Sequence, residues 1–107
     1  MIVKIIPNTK GTPVGHLADA ELHFDEHDGP LAGLKLVGFG LWERRGAGGR
    51  NVTYPARLYS INGERRTFAL LRSREIGVQP TNLRDLILSV YADWTTVKPT
   101  VGSEGRA

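Results

Sequence analysis

The sequence predicts an α+β protein in which an antiparallel sheet of about five strands carries one C-terminal amphipathic helix. Several short apolar or alternating segments are separated by turn residues, which is typical of strands. Asn62-Gly63 is a strong hairpin signal, and residues 83–94 carry one apolar stripe at helical spacing. Strands followed by a helix indicate an α+β rather than an alternating α/β arrangement.

The first 25 residues predict two strands. Ile2–Ile6 is short and apolar and is followed by Pro7. Residues 16–25 alternate between apolar residues and the polar residues of one face, which is the pattern of a half-buried antiparallel strand. His16 and His23 stand an odd number of positions apart, so on a regular strand they are expected on opposite faces. The following EHDGP predicts a turn.

Residues 31–57 predict two strands joined by an arginine- and glycine-rich turn, and we expect the rest of the chain to be organised around them. The first of these strands, about residues 32–43, is apolar on both faces, so we expect it to lie between two layers. In so short a chain, the second layer is expected from another copy. Gly38 and Gly40 share a face and permit a bulge or a close backbone approach. Pro55 cannot donate to a ladder, so the second strand, residues 51–56, is expected to be an edge or bulged.

The remaining segments predict a hairpin and a helix. Residues 57–61 lead into Asn62-Gly63, which suits a type I′ turn, and residues 64–72 form the return strand. The helix is expected to lie on the sheet by a stripe made of Leu83, Leu86, Ile87, Val90, Tyr91 and Trp94. We therefore expect a single domain over residues 1–94 and a flexible C-terminal tail over residues 95–107.

Length and composition restrict the class of protein. The 107 residues suit one small domain, and the absence of cysteine excludes both a disulfide framework and a thiolate metal site. No stretch approaches the run of about 18 apolar residues that a membrane span needs. The N-terminus lacks the pattern of a signal peptide. We expect a cytoplasmic protein that does not associate with membranes.

The charge is distributed unevenly along the chain, although the net charge is only +3. Residues 1–43 have three lysines against six acidic residues, a net of −3, and residues 85–107 have a net of −1. Residues 44–84 have nine arginines against two acidic residues, a net of +7. Arginine presents a planar fork that suits phosphates, so this cationic middle indicates a polyanion-binding surface. The alternative is that the charges keep exposed hairpin edges from aggregating.

The arginines are the candidate binding residues, because they crowd the two predicted turns. Cations in such positions contact phosphates rather than read bases, so affinity should fall with salt and sequence preference should be weak. The main patch is expected to comprise Arg57, Arg65, Arg66, Arg72 and Arg74, the second Arg44, Arg45 and Arg50, with Arg84 at the start of the helix.

Other residue patterns have competing interpretations. Trp42, Tyr54 and Phe68 suit base stacking or core packing, and Tyr59 beside the turn is the aromatic residue expected to be exposed. The histidines, with nearby Asp19, Glu21, Asp25 and Asp28, suggest a metal or acid–base site, but no nucleophile or cofactor motif accompanies them. The glycines at 46–49 lack the Walker spacing of a phosphate loop. We expect no catalytic residue, no metal and no cofactor.

The order of four motifs resembles that of the SpoVG (stage V sporulation protein G, or septation protein) family. These are GLKLVGFGLWE, VTYPAR, NGERRTF and the helix LRDLILSVYADW, spanning roughly residues 32–94. In that family a Val-Met-Pro-Ser-Arg/Lys type motif precedes a turn with Asp-Gly, Glu, an aromatic residue and Arg. Pro55 and Arg57 match the first motif, and Asn62-Gly63-Glu64 and Arg66 match the second, whereas Tyr54 and Ala56 differ from the family's Met and Ser.

The resemblance, as to a distant member, implies a small bacterial cytoplasmic protein that forms a homodimer through strands. It also implies that the protein binds DNA, and by extension RNA, as a regulator of transcription. A protein-interaction module that binds an acidic partner through its apolar sheet face and basic rim is the alternative. An enzyme built around the histidine and aspartate cluster is a third interpretation.

Overall fold

A computed structural model describes residues 1–44, 46, 48–78 and 81–103, with side chains through residue 96. It has an α+β fold with antiparallel sheets and one C-terminal helix, as predicted. The elements are β1 (Ile2–Pro7), β2 (His16–His23), a short 3₁₀ segment (Glu26–Leu31), β3 (Lys35–Glu43), β4 (Arg50–Thr53), β5 (Ala56–Ile61), β6 (Glu64–Ala69) and α1 (Thr81–Ser103).

The described residues form six strands in two sheets rather than about five in one. β1 to β4 form a four-stranded sheet in chain order, and β5 and β6 form a separate hairpin. The predicted strand over residues 51–56 ends at Thr53, and β5 begins at Ala56. Pro55 lies between them. A residue without an N–H cannot continue the ladder of hydrogen bonds, so β4 ends before it. As expected, β4 is an edge strand.

Two turns follow the chemistry of their residues. Asn62 and Gly63 have φ angles of 51° and 80°, the positive values that a type I′ hairpin turn requires. β2 ends before Asp25, whose side chain accepts a hydrogen bond from the His27 backbone N–H and so caps the 3₁₀ segment. This segment replaces the simple turn expected at EHDGP.

An extra residue in β3 changes which side chains face the core. Ala20 pairs with Phe39 but Leu22 pairs with Leu36, so one additional residue of β3 bulges out between them. The bulge contains Gly38, whose φ of 106° suits glycine. A Cβ at Gly38 would lie 3.2 Å from the Cβ of Pro55, so glycine also permits the close approach predicted here.

Helix α1 packs across β1 and β4 and covers one face of the four-stranded sheet. Ala18 and Ala20 on β2 are fully buried. The buried core comprises Ile5, Ala18, Ala20, Leu22, Phe39, Leu41, Val52, Ile87 and Tyr91. α1 continues past Trp94 to Ser103. The first part of the segment expected as a tail, residues 95–103, is therefore helical. Residues 104–107 lie outside the described residues, and a flexible tail stays a prediction.

The opposite face of the sheet has no covering layer among the described residues. We call it the open face and define it by Ile6, Asp19, Val37, Gly40, Trp42 and Thr53, which the strand register and a shared groove place on the side away from α1. Val37 is 50% exposed and Ile6 is 37% exposed. Thus α1 supplies one of the two layers expected around β3.

No helix in the described part of the chain is long and apolar enough to cross a membrane.

The packing of α1 can be tested with two neighbouring residues on the helix. Ile87 is fully buried, so Ile87→Ala should lower the free energy of unfolding by about 2–5 kcal/mol through lost burial and a cavity. Leu86 is 41% exposed, so Leu86→Ala is the matched control and should cost about 1 kcal/mol or less. Denaturant unfolding measures both. Equal costs would contradict this orientation of α1.

Candidate nucleic-acid interface

The β5–β6 hairpin has two differently composed faces. Residues that are directly opposite in an antiparallel pair project to the same side. Arg57 pairs with Phe68, Tyr59 with Arg66 and Ile61 with Glu64, and these six residues define the tyrosine face. Ala56 pairs with Ala69, Leu58 with Thr67 and Ser60 with Arg65, and these six define the leucine face. The adjacent Arg65 and Arg66 therefore project to opposite sides.

Three of the predicted arginines gather on the tyrosine face. Arg57 and Arg66 belong to it by register, and the Arg72 guanidinium carbon lies 4.1 Å from the centroid of the Phe68 ring. Arg72 Nε also donates a hydrogen bond of 2.8 Å to the carbonyl oxygen of Ala69. This cation–π contact and hydrogen bond hold Arg72 beside the strand. Arg65 lies on the other face, and Arg74 lies exposed in the loop after β6.

Few of these arginines are neutralised by the protein's own carboxylates. Among the described arginines, only Arg66 and Arg84 form ion pairs, with Glu64 at 2.9 Å and with Asp85 at 3.3 Å. Both pairs are solvent-exposed, and exposed pairs of this kind contribute little free energy. Phosphates can therefore compete for these guanidinium groups.

The exposed aromatic residue of the hairpin is Phe68 rather than Tyr59, contrary to the sequence prediction. Phe68 is 49% exposed, whereas Tyr59 is half-buried. Tyr59 lies in the middle of its strand, opposite Arg66 and on the same face as Arg57 and Ile61. The tyrosine face thus combines guanidinium groups with one exposed ring and one partly exposed ring.

The second predicted patch lies beside α1. The Arg50 guanidinium carbon is 4.9 Å from the centroid of the Tyr91 ring, and the Tyr91 ring stacks on Trp94 at 6.0 Å. Arg44 lies with the glycines of the β3–β4 turn around an open cleft that also reaches Leu88. Arg45 lies outside the described residues. Arg50 is therefore held against the helix, while Arg44 is exposed.

Arg84 lies in the first turn of α1, close to Tyr54. Burial raises the pKa of the Tyr54 hydroxyl, and a hydrogen bond with the Arg84 backbone opposes that rise. Tyr54 also packs edge-on against Phe39 at 5.4 Å between ring centroids. These contacts make Tyr54 a packing residue. Of the two interpretations of Tyr54, base stacking or core packing, they support core packing.

Trp42 likewise serves packing, but on the open face. Its Nε1 donates a hydrogen bond of 3.1 Å to Thr53 Oγ1, and its ring stacks on His16 at 4.7 Å between centroids. A Cβ on Gly40 would lie 2.7 Å from Trp42 Nε1, so the indole occupies the space above this glycine. Of the three aromatic residues considered for base stacking, only Phe68 lies among the hairpin arginines.

The histidines of β2 pair individually with carboxylates. His16 Nε2 lies 2.9 Å from Asp19 Oδ1, and His23 Nε2 lies 2.9 Å from Glu21 Oε1. The hydrogen bond from His23, and secondarily that from Lys35, lowers the pKa of Glu21 against the opposing effect of desolvation. Within the described ranges, no three histidine or acidic residues are placed to hold a metal ion.

The expectation that His16 and His23 face opposite sides is wrong. The pairing of β2 with β3 shifts between His16 and Ala18, which breaks the alternation at this end of the strand. His16 therefore contacts Asp19, on the same face as Glu21 and His23. Regular alternation cannot reveal such a shift, because the irregularity depends on the neighbouring strand.

No protein-family model matches the chain, and searches of curated proteins and of solved structures gave no match. The resemblance to the SpoVG family therefore stays a prediction.

The stacking of Arg50 on Tyr91 should have a measurable effect on stability. Arg50→Ala removes the cation–π contact and should lower the free energy of unfolding by about 0.5–1 kcal/mol. Arg44→Ala removes an equal charge from the exposed Arg44 and should change the free energy of unfolding by about 0.5 kcal/mol or less. Thermal or denaturant unfolding distinguishes them. If both variants are as stable as the unmodified chain, Arg50 has no packing role.

Proposed function

We propose that the protein is a nucleic-acid-binding regulator that acts as a homodimer and grips phosphates with the arginines of the β5–β6 hairpin. The observation that carries this proposal is the tyrosine face, where Arg57, Arg66 and Arg72 flank the exposed ring of Phe68. We propose a binding protein rather than an enzyme. A role in transcription in the bacterial cytoplasm is what the resemblance to the SpoVG family implies.

The physical chemistry of this face suits a flexible or single-stranded polyanion. Guanidinium groups on a narrow ribbon can follow a phosphate backbone, and each neutralised phosphate releases counterions. An exposed aromatic ring offers a base a stacking surface worth about 1–3 kcal/mol. Since all bases stack, and since phosphates are the same in every sequence, we expect weak sequence preference for either DNA or RNA.

A fluorescence-anisotropy titration tests this proposal with a single-stranded DNA, a duplex DNA and an RNA between about 50 and 200 mM salt. The logarithm of the association constant should fall linearly as the logarithm of the salt concentration rises. The double variant Arg57→Gln/Arg66→Gln should reduce the steepness of that plot by about 1.4 for single strands and about 1.8 for duplex DNA, because two phosphate contacts are lost.

The control is Lys4→Gln/Lys10→Gln, which changes the net charge equally but on exposed lysines outside the hairpin. It should leave the salt dependence nearly unchanged. If neither variant differs from the unmodified protein while binding persists, other residues contact the nucleic acid. If the unmodified protein binds no nucleic acid even at low salt, the proposed function is wrong.

A second candidate function, binding an acidic protein partner, is favoured by the apolar side chains that interrupt the basic surface. Leu58 is 73% exposed and Leu70 is 58% exposed. An acidic peptide with apolar residues would contact both kinds of group. Competition distinguishes the two candidates: such a peptide should displace nucleic acid poorly under the first, and should bind at salt concentrations that release nucleic acid under the second.

A further inference from the structure

Phe68 is an aromatic side chain that the fold leaves at the surface among cations. It is 49% exposed. It lies in β6, which among the described strands pairs with β5 alone, and Arg57 lies directly opposite it. The ring thus belongs to the tyrosine face and is separate from the hydrophobic core.

Arg72 is fixed against this ring. Its guanidinium carbon lies over the Phe68 ring, 4.1 Å from the centroid, and its Nε donates a hydrogen bond of 2.8 Å to the carbonyl oxygen of Ala69. At that separation the guanidinium group is in van der Waals contact with one side of the ring. The two contacts hold the guanidinium group beside the strand, so a ligand that binds there does not have to order it.

The outer side of the Arg72 guanidinium group is open. Arg72 forms no ion pair within the described part of the chain, and no hydrogen bond there engages its two terminal nitrogens. Arg72 is exposed, so a planar group can reach the side of the guanidinium that faces away from Phe68. Nucleobases stack on guanidinium planes as they do on aromatic rings.

The hydrogen bond to Ala69 favours a base over a phosphate as the ligand of Arg72. A guanidinium group grips a phosphate through pairs of N–H groups along its edges. Ala69 already occupies Nε and with it one of these edges, whereas the flat outer side remains accessible.

We propose that the tyrosine face is a binding site for single-stranded nucleic acid, in which one unpaired base stacks on the Arg72 guanidinium group and Phe68 supports that group from behind. Arg72 is then a base-contacting residue, while Arg57 and Arg66 contact phosphates. The inference rests on the proposed function and adds to it the class of nucleic acid and the residues that select this class.

The neighbouring arginines are placed to hold the backbone of the same strand. Arg57 is directly across the hairpin from Phe68, with Cβ atoms about 5 Å apart. Arg66 lies two residues before Phe68 on β6, about 7 Å along the strand and on the same face. A strand with one base on Arg72 can therefore bring its phosphates to guanidinium groups on either side.

A duplex cannot use this stack without being disrupted. Its bases are paired and stacked on one another, and only their edges reach the grooves. Bringing one of them onto Arg72 requires extruding it, which costs unpairing and unstacking energy. Duplex DNA is thus limited to the phosphate contacts, and the preference for single strands comes from Phe68 and Arg72.

Fluorescence anisotropy of the full chain tests the proposal with an oligothymidylate and an abasic strand of the same length, which has the same phosphates but no bases. The unmodified protein should bind the oligothymidylate about 5-fold to 150-fold more tightly, the range for one stacked base. An oligouridylate and its abasic counterpart repeat the comparison for RNA, and a base-dependent gain with either nucleic acid supports the stack.

Two substitutions separate stacking from charge. Phe68→Leu keeps an apolar side chain but removes the ring, and Arg72→Lys keeps the charge but removes the guanidinium plane. Each should abolish most of the base-dependent gain and leave the affinities for the abasic strand and for duplex DNA nearly unchanged. Phe68→Trp should retain the gain, because an indole ring supports a cation at least as well as a phenyl ring.

Matched controls lie on the leucine face of the same hairpin. Arg65→Lys makes the same charge-conserving change there, and Leu58→Ala removes an exposed apolar side chain, so neither should alter the gain. Circular dichroism checks that each variant is folded.

Three results would overturn the stack. They are equal affinities of the unmodified protein for strands with and without bases, a gain that survives Phe68→Leu or Arg72→Lys, and a gain that Phe68→Trp abolishes. Salt-dependent binding of the abasic strand would in each case leave the proposed phosphate contacts standing. If no strand binds even at low salt, the proposed function fails together with this inference.

Discussion

The packing of one helix on one face of the four-stranded sheet is the constraint on which the rest of the structure depends. β3 carries apolar side chains toward both faces, and the fully buried Leu41 and Ile87 occupy the side that α1 covers. The chain has one long helix in its described part, so it cannot build a second layer of the same kind. Among the described residues, the other face of β3 consequently has no covering layer.

Pro55 is a second constraint on the arrangement of the strands. Without an N–H the chain cannot extend the ladder of β4, and the next strand leaves the sheet and, within the described part of the chain, pairs with β6 alone. Gly38 accommodates this departure, because a Cβ there would lie only 3.2 Å from the Cβ of Pro55, which is a tight contact. The hairpin therefore exposes both of its faces to solvent. Had its strands joined the main sheet, their edges would have been paired with neighbouring strands.

The division of the hairpin into two faces gives its arginines different surroundings. Arg66 and Arg72 lie among aromatic rings and an exposed carboxylate, which is a surface that phosphates and bases can share. Arg65 is a diagonal neighbour of Leu58 on the other face and pairs with no carboxylate among the residues that the structure describes. Neighbours in sequence are thus separated by the thickness of a β-ribbon. The two faces of so small an element differ in composition for this reason.

The sequence by itself determined the order of strands and helix, the Asn62-Gly63 turn, the edge position of the strand before Pro55 and the apolar stripe that contains Ile87, because these depend on local backbone chemistry and periodicity. It also determined that cationic residues are concentrated between positions 44 and 84. Only the tertiary structure decided that the strands divide into two sheets, since a ladder is formed by residues distant in sequence. The shifts in register that bring His16 to Asp19 were likewise invisible along the chain, because a bulge is defined by the partner strand.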